Sequence, residues 1–102
     1  MWMLLNVTLP HEQFNAAVRD GTAGRKLSKI LEEIKPEACY FTEQEGRRGA
    51  LLVVDLPDPS RIPSLPEPWF LSFNADAKFR VVMTPEELGT AGLEGLGKKS
   101  GS

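Results

Sequence analysis

Two spacings of apolar residues alternate along the 102-residue chain. Residues 2–9 follow a period of two, with Met3, Leu5, Val7 and Leu9 on one face and Trp2, Leu4, Asn6 and Thr8 on the other, the pattern of a β-strand. Pro10 suits a first helical turn, where its missing N–H would have had no partner, and Glu12 complements the positive end of a helix dipole. Phe14, Ala17 and Val18 keep helical spacing until "DGTAG" at 20–24, where two glycines predict a kink or a break. Leu27, Ile30, Leu31 and Ile34 resume the helical stripe. Pro36 ends it, because the residue before a proline is steered out of helical geometry.

Strand-like runs return at 37–43 and 47–56, joined by a short turn around Glu45 and Gly46, which predicts a hairpin. Leu51, Leu52, Val53 and Val54 are apolar on both faces, as in a central strand covered on each side. Prolines at 57, 59, 63, 66 and 68 exclude a long regular helix before about Pro66. A short helix through Phe73 would gather Trp69, Phe70 and Phe73 on one side, with Asn74 as a left-handed stop. From 75 to 83 the chain alternates again, Ala77, Phe79, Val81 and Met83 against Asp76, Lys78, Arg80 and Val82, and the charged face suits an edge strand. "TPEEL" at 84–88 then starts a helix, with Thr84 as N-cap, Pro85 in the first position and Glu87 placed for a capping box. Gly89, Gly92, Gly95 and Gly97 weaken that helix, so a single domain is expected over residues 1–92 and a flexible tail over 93–102.

Strand, helix, strand, strand, short helix, strand is the split βαβ order of an α+β, ferredoxin-like domain: βαββαβ, one four-stranded antiparallel sheet, plus a C-terminal helix. Helices cover one face of such a sheet, yet alternate residues of 51–54 must point to the other, leaving a large apolar patch. In the order of "GRKL", "ACYFTEQEGRRGALLVVDLPDP", "EPWF" and "FRVVMTPEEL", the chain resembles the dimeric α+β barrel superfamily over about residues 2–90, close to short uncharacterised bacterial domains of that group. The resemblance implies a dimeric α/β barrel, in which the sheet of a second copy covers the bare face. It also implies a choice of functions, since that superfamily includes cofactor-independent monooxygenases, muconolactone-type isomerases and haem-binding enzymes with ligands held between sheet and helices.

Composition narrows the partners. A formal net charge of -2 and the lack of a Lys/Arg block inside the fold give no electrostatic reason to expect nucleic acid or an anionic membrane. No apolar run approaches the roughly 18 residues needed to span a bilayer. "MWMLLNVTLP" is too short for a signal peptide and lacks its basic leader, and the lone Cys39 cannot form an intrachain disulfide, so a cytoplasmic location is expected.

Candidate chemistry is sparse. The aromatics read as core first; if the broken first helix leaves room above them, the expected ligand site comprises Trp2, Phe14, Tyr40, Trp69, Phe73 and Asn74, holding a small apolar or aromatic molecule beneath that helix. No catalytic set can be assigned. Trp69, Asn74 and Arg80 match the residue types of the monooxygenase branch but not its motif positions, so a cofactor-free oxygenase or isomerase stands as one alternative and a structural or regulatory interaction module as another. His11, the only histidine, lies in the first turn of a helix and reads as a surface residue; with no second histidine or carboxylate motif, neither a metal nor a cofactor is expected. Cys39 reads as an inert strand thiol and Tyr40 as a hydrogen-bonded core residue on the opposite face. Glu43, Glu45, Arg47 and Arg48 read as a solvated cluster, and Asp55 and Asp58 as turn caps.

Overall fold

The computed structural model describes residues 1–101. Strand β1 (Trp2–Leu9) runs into α1 (His11–Asp20), and the break expected at the glycines is present: Gly21 takes left-handed geometry (φ 82) and α2 (Ala23–Ile34) starts afresh. Lys35, also left-handed, stops α2 one residue before Pro36. Strands β2 (Ala38–Gln44) and β3 (Arg47–Asp55) form the hairpin, with Glu45 (φ 52) and Gly46 (φ 81) both left-handed as a tight two-residue turn requires. The proline-rich stretch is a 3-10 turn over Pro59–Ser64 followed by α3 (Glu67–Phe73), which ends on left-handed Asn74 (φ 54), and β4 (Asp76–Val82) completes the sheet.

The strand order is β2-β3-β1-β4, all neighbours antiparallel, with α1, α2 and α3 on one face: the ferredoxin-like α+β fold. Residues directly opposite share a face, so the register decides what each face contains. Met3 pairs with Val54, Leu5 with Leu52 and Val7 with Ala50, and these six are buried under the helices together with Phe14, Ala17, Ile30, Leu56, Leu65, Trp69 and Phe73. The opposite face carries Leu4 beside Val53, Asn6 beside Leu51 and Thr8 beside Gly49. No element covers it, and its apolar residues Trp2, Leu4, Ala38, Leu51 and Val53 are only half-buried.

Beyond β4 the chain departs from expectation. The capping box of Thr84 and Glu87 forms as predicted and opens α4 (Pro85–Thr90), but the helix breaks at Gly92. Residues expected as tail instead wind into α5 (Leu93–Ser100), and every residue from Pro85 to Gly101 is exposed.

Candidate functional site

The six residues singled out from the sequence do not share one surface. Phe14, Trp69 and Phe73 occupy the space beneath α1, with the rings of Phe14 and Phe73 5.1 Å apart and Trp69 and Phe73 almost inaccessible. Arg48 and Lys26 extend this packing as cations over rings, the Arg48 guanidinium 4.7 Å from the centre of Phe14 and Lys26 Nζ 5.8 Å from that of Phe73. Arg48 also donates to Asn15 Oδ1 at 2.8 Å, so it is a packing and positioning group rather than a member of a freely solvated cluster. Asn74 is the exposed stop of α3, while Trp2 and Tyr40 lie on the open face of the sheet. Tyr40 is 65% exposed, which corrects its reading as a core tyrosine: β2 is an edge strand and nothing packs over that side of it.

A hollow lies instead mainly on the open face, where β1, β4 and the β2–β3 hairpin meet, and reaches Ala77 and Phe70 on the helix side of edge strand β4. Asn6, Thr8, Gln44, Arg47, Asp76 and Lys78 supply its floor and walls, Glu45, Ala77 and Phe70 complete it, and its volume is about 680 Å³. That volume falls in the range of small-molecule sites. Phe70, expected to pack with Trp69 and Phe73, is turned out of the core and forms one wall. A second hollow between α2 and α3, bordered by Lys29, Glu33 and Leu71, holds about 190 Å³.

Three features give the larger hollow its chemistry. Two cations, Arg47 and Lys78, and two anions, Glu45 and Asp76, share its rim, and no ion pair joins them among the described residues. Asn6 Oδ1 is inaccessible to solvent and has no hydrogen-bond partner, a situation that costs about 1–3 kcal/mol until a donor reaches it. Gln44 is fixed across the floor by its Nε2, which donates to the Val7 carbonyl at 3.1 Å. The alternation of β1 could have pointed to Asn6 and Thr8 as the polar end of an otherwise apolar face, but the contributions of the hairpin and α3 depend on long-range pairing.

His11 is exposed at the start of α1 and lines neither hollow, so no imidazole faces them. Burial pushes the Cys39 thiol above its ordinary pKa, keeping it protonated on the helix face of β2. Asp58 caps the 3-10 turn by accepting from the Ser60 N–H at 2.9 Å, whereas Asp55 pairs with the Met1 amino group at 3.1 Å instead of capping a turn. Among the described residues no group of three His, Cys, Asp or Glu side chains could hold a metal ion, and no helix is long and apolar enough to cross a membrane.

No protein-family model matches this sequence, and no curated protein sequence matches it. Among solved structures, the chain is similar to 5-chloro-2-hydroxyhydroquinone dehydrochlorinase from Burkholderia phenoliruptrix AC1100 in complex with 2,5-dihydroxybenzoquinone, with a TM-score of 0.61 and 14% identity over 85% of this chain and 98% of that one. The likeness is one of fold, a four-stranded antiparallel sheet with helices in the ferredoxin-like α+β arrangement. A formyltetrahydrofolate deformylase from Pseudomonas putida KT2440 overlaps less well, with a TM-score of 0.44 and 13% identity over 79% of this chain and 28% of that one.

Proposed function

We propose that this chain is a cytoplasmic homodimer that packs its open sheet face against that of a second copy and binds a small, oxygen-rich molecule in the hollow at the polar end of that face. The observation that carries the reading is the division of the open face into two halves. Trp2, Leu4, Ala38, Leu51, Val53 and Val82 form an uncovered apolar half edged by Tyr40 and Arg80, and Asn6, Thr8, Gln44 and Lys78 form a polar half with the 680 Å³ hollow. Burying the apolar half removes its surface from water at about 25 cal/mol per Å². The polar half, facing its counterpart, would become an enclosed chamber lined by the charges of Glu45, Arg47, Asp76 and Lys78.

A ligand with hydroxyl groups suits that chamber, since a hydroxyl can donate to Asp76 or Glu45 while a neighbouring oxygen accepts from Lys78 or Arg47. This places the ligand away from the space beneath α1, which the protein's own aromatics fill. The structural similarity to a protein seen with a dihydroxybenzoquinone guides the choice of probe and nothing more.

Sedimentation of the purified chain at micromolar concentration tests the dimer, and calorimetric titration with 2,5-dihydroxybenzoquinone tests the chamber. A dimer that Leu51→Arg dissolves, and heat of binding that the double variant Arg47→Ala/Lys78→Ala removes, are the expected results. A monomeric wild-type chain sinks the assembly, and a probe that binds Arg47→Ala/Lys78→Ala as well as wild type sinks the assignment of the hollow.

A further inference from the structure

This chain is too extended for its length. Its radius of gyration is 17.3 Å and its extents are 61 × 29 × 19 Å, where a compact domain of this size has a radius of about 13 Å. It exposes 7066 Å² of surface, against roughly 5,700 Å² for a compact monomer of 11.3 kDa. The excess exceeds the ~800 Å² that each partner buries in a standard stable interface.

The C-terminal segment is exposed throughout. From Pro85 to Gly101 no residue is buried, and Leu88, Leu93 and Leu96 are 43%, 58% and 52% exposed. Such helices do not sustain themselves in isolation: α4 has six residues and α5 eight, α5 contains Gly95 and Gly97, and its N-cap Gly92 offers no side chain to cap it. Isolated helices shorter than about 12 residues are marginal in water, and each interior glycine costs about 1 kcal/mol relative to alanine. The segment leaves the sheet at Val82, directly beside Trp2 on the apolar half of the open face. Its root therefore adjoins the surface that a second copy would cover.

We infer that residues 83–100 are an arm that clasps a second copy of this chain, with Leu88, Leu93 and Leu96 as its anchors. The inference rests on the homodimer proposed above, and extends the interface beyond the sheet to a segment that gains its packing from the partner. Within one chain no residue from Pro85 to Gly101 is buried; in the dimer both arms gain a partner surface, and the surplus surface of each protomer is removed.

The test compares three forms of the full chain: wild type, Leu88→Ala/Leu93→Ala/Leu96→Ala, and Leu51→Arg. Alanine preserves helix propensity, so the triple variant removes anchors without breaking the arm. Sedimentation equilibrium should show dimerisation of the triple variant weakened by about tenfold or more. Hydrogen exchange should show amides of 93–100 gaining protection as wild-type concentration rises through the dimerisation range. Dimerisation of the triple variant at wild-type strength overturns the arm and leaves the sheet interface standing. Protection of the arm already present in the monomer, or absent in the dimer, overturns it as well. Loss of the dimer in the triple variant but not in Leu51→Arg would instead overturn the sheet interface and leave the arm. A wild-type chain that is monomeric throughout overturns both.

Discussion

Gln44 lies across Gly49. A Cβ at position 49 would collide with Gln44 Nε2 and stand 2.8 Å from its Cγ, so the glycine on β3 is what lets the side chain reach over the sheet to the Val7 carbonyl. Both residues lie on the open face, and Gln44 lines the hollow. The strand therefore gives up a better β-former at this position to position an amide at the candidate site.

A double-mutant cycle reads this relationship. Gly49→Ala expels Gln44 and loses a hydrogen bond worth ~1 kcal/mol, while relief of glycine's backbone entropy returns ~0.5–1 kcal/mol, so the single change should be nearly neutral. In the Gly49→Ala background, Gln44→Ala should then cost less than it does in wild type, with a coupling of at least ~0.5 kcal/mol in urea denaturation. Strict additivity would show that the two side-chain positions do not interact.

Trp69 has a different defect. It is fully buried, yet its Nε1–H has no hydrogen-bond partner. Trp69→Ala should lower stability by ~3–5 kcal/mol, a large part of the total for a domain of this size. Trp69→Phe also loses volume but removes the unsatisfied donor, whose burial costs ~1–3 kcal/mol, so it should lose less than half as much. Equal losses in the two variants, measured by chemical denaturation with Trp2 as the remaining fluorophore, would show that the indole N–H carries no penalty.

What could be read in the sequence was what short-range chemistry fixes. The break at Gly21, the left-handed stop at Asn74, the turn at Glu45 and Gly46 and the capping box of Thr84 and Glu87 all depend on residues within a few positions of one another. Alternation along β1 and β3 likewise showed that the sheet carries apolar residues on the face its helices leave open. Illegible were the features that need the register: Gln44 meeting Gly49, and Phe70 turned outward to the hollow while Trp69 and Phe73 fill the core. Helix α5 was hidden for another reason, because its glycine content argues locally against the helix that forms.

Cys39 should react slowly. Desolvation on the helix face of β2 raises its pKa, and at neutral pH only the thiolate attacks an alkylating agent. Iodoacetamide should modify the native chain more slowly than the same chain in denaturant, with the native rate rising toward alkaline pH. A native rate equal to the denatured one would mean that β2 does not shield the thiol.

Two aspartates set a feature of the acid limb of stability. Hydrogen bonds from the hydroxyl and backbone N–H of Ser60 hold the Asp58 carboxyl below the usual aspartate range, and the same pair of groups on Thr22 does so for Asp20. A carboxyl whose pKa is depressed by folding contributes stability that is present above its unfolded pKa and is lost as pH falls through the folded value. Both groups are exposed, so solvent screens the interactions and the contribution is small. NMR titration of the side-chain carboxyls should find both midpoints below those of unstructured aspartate. Ser60→Ala should raise the Asp58 midpoint by removing the hydroxyl donor while leaving Asp20 where it was. If the Asp58 midpoint stays unchanged in Ser60→Ala, the hydroxyl is not what depresses it and the backbone N–H must account for the shift.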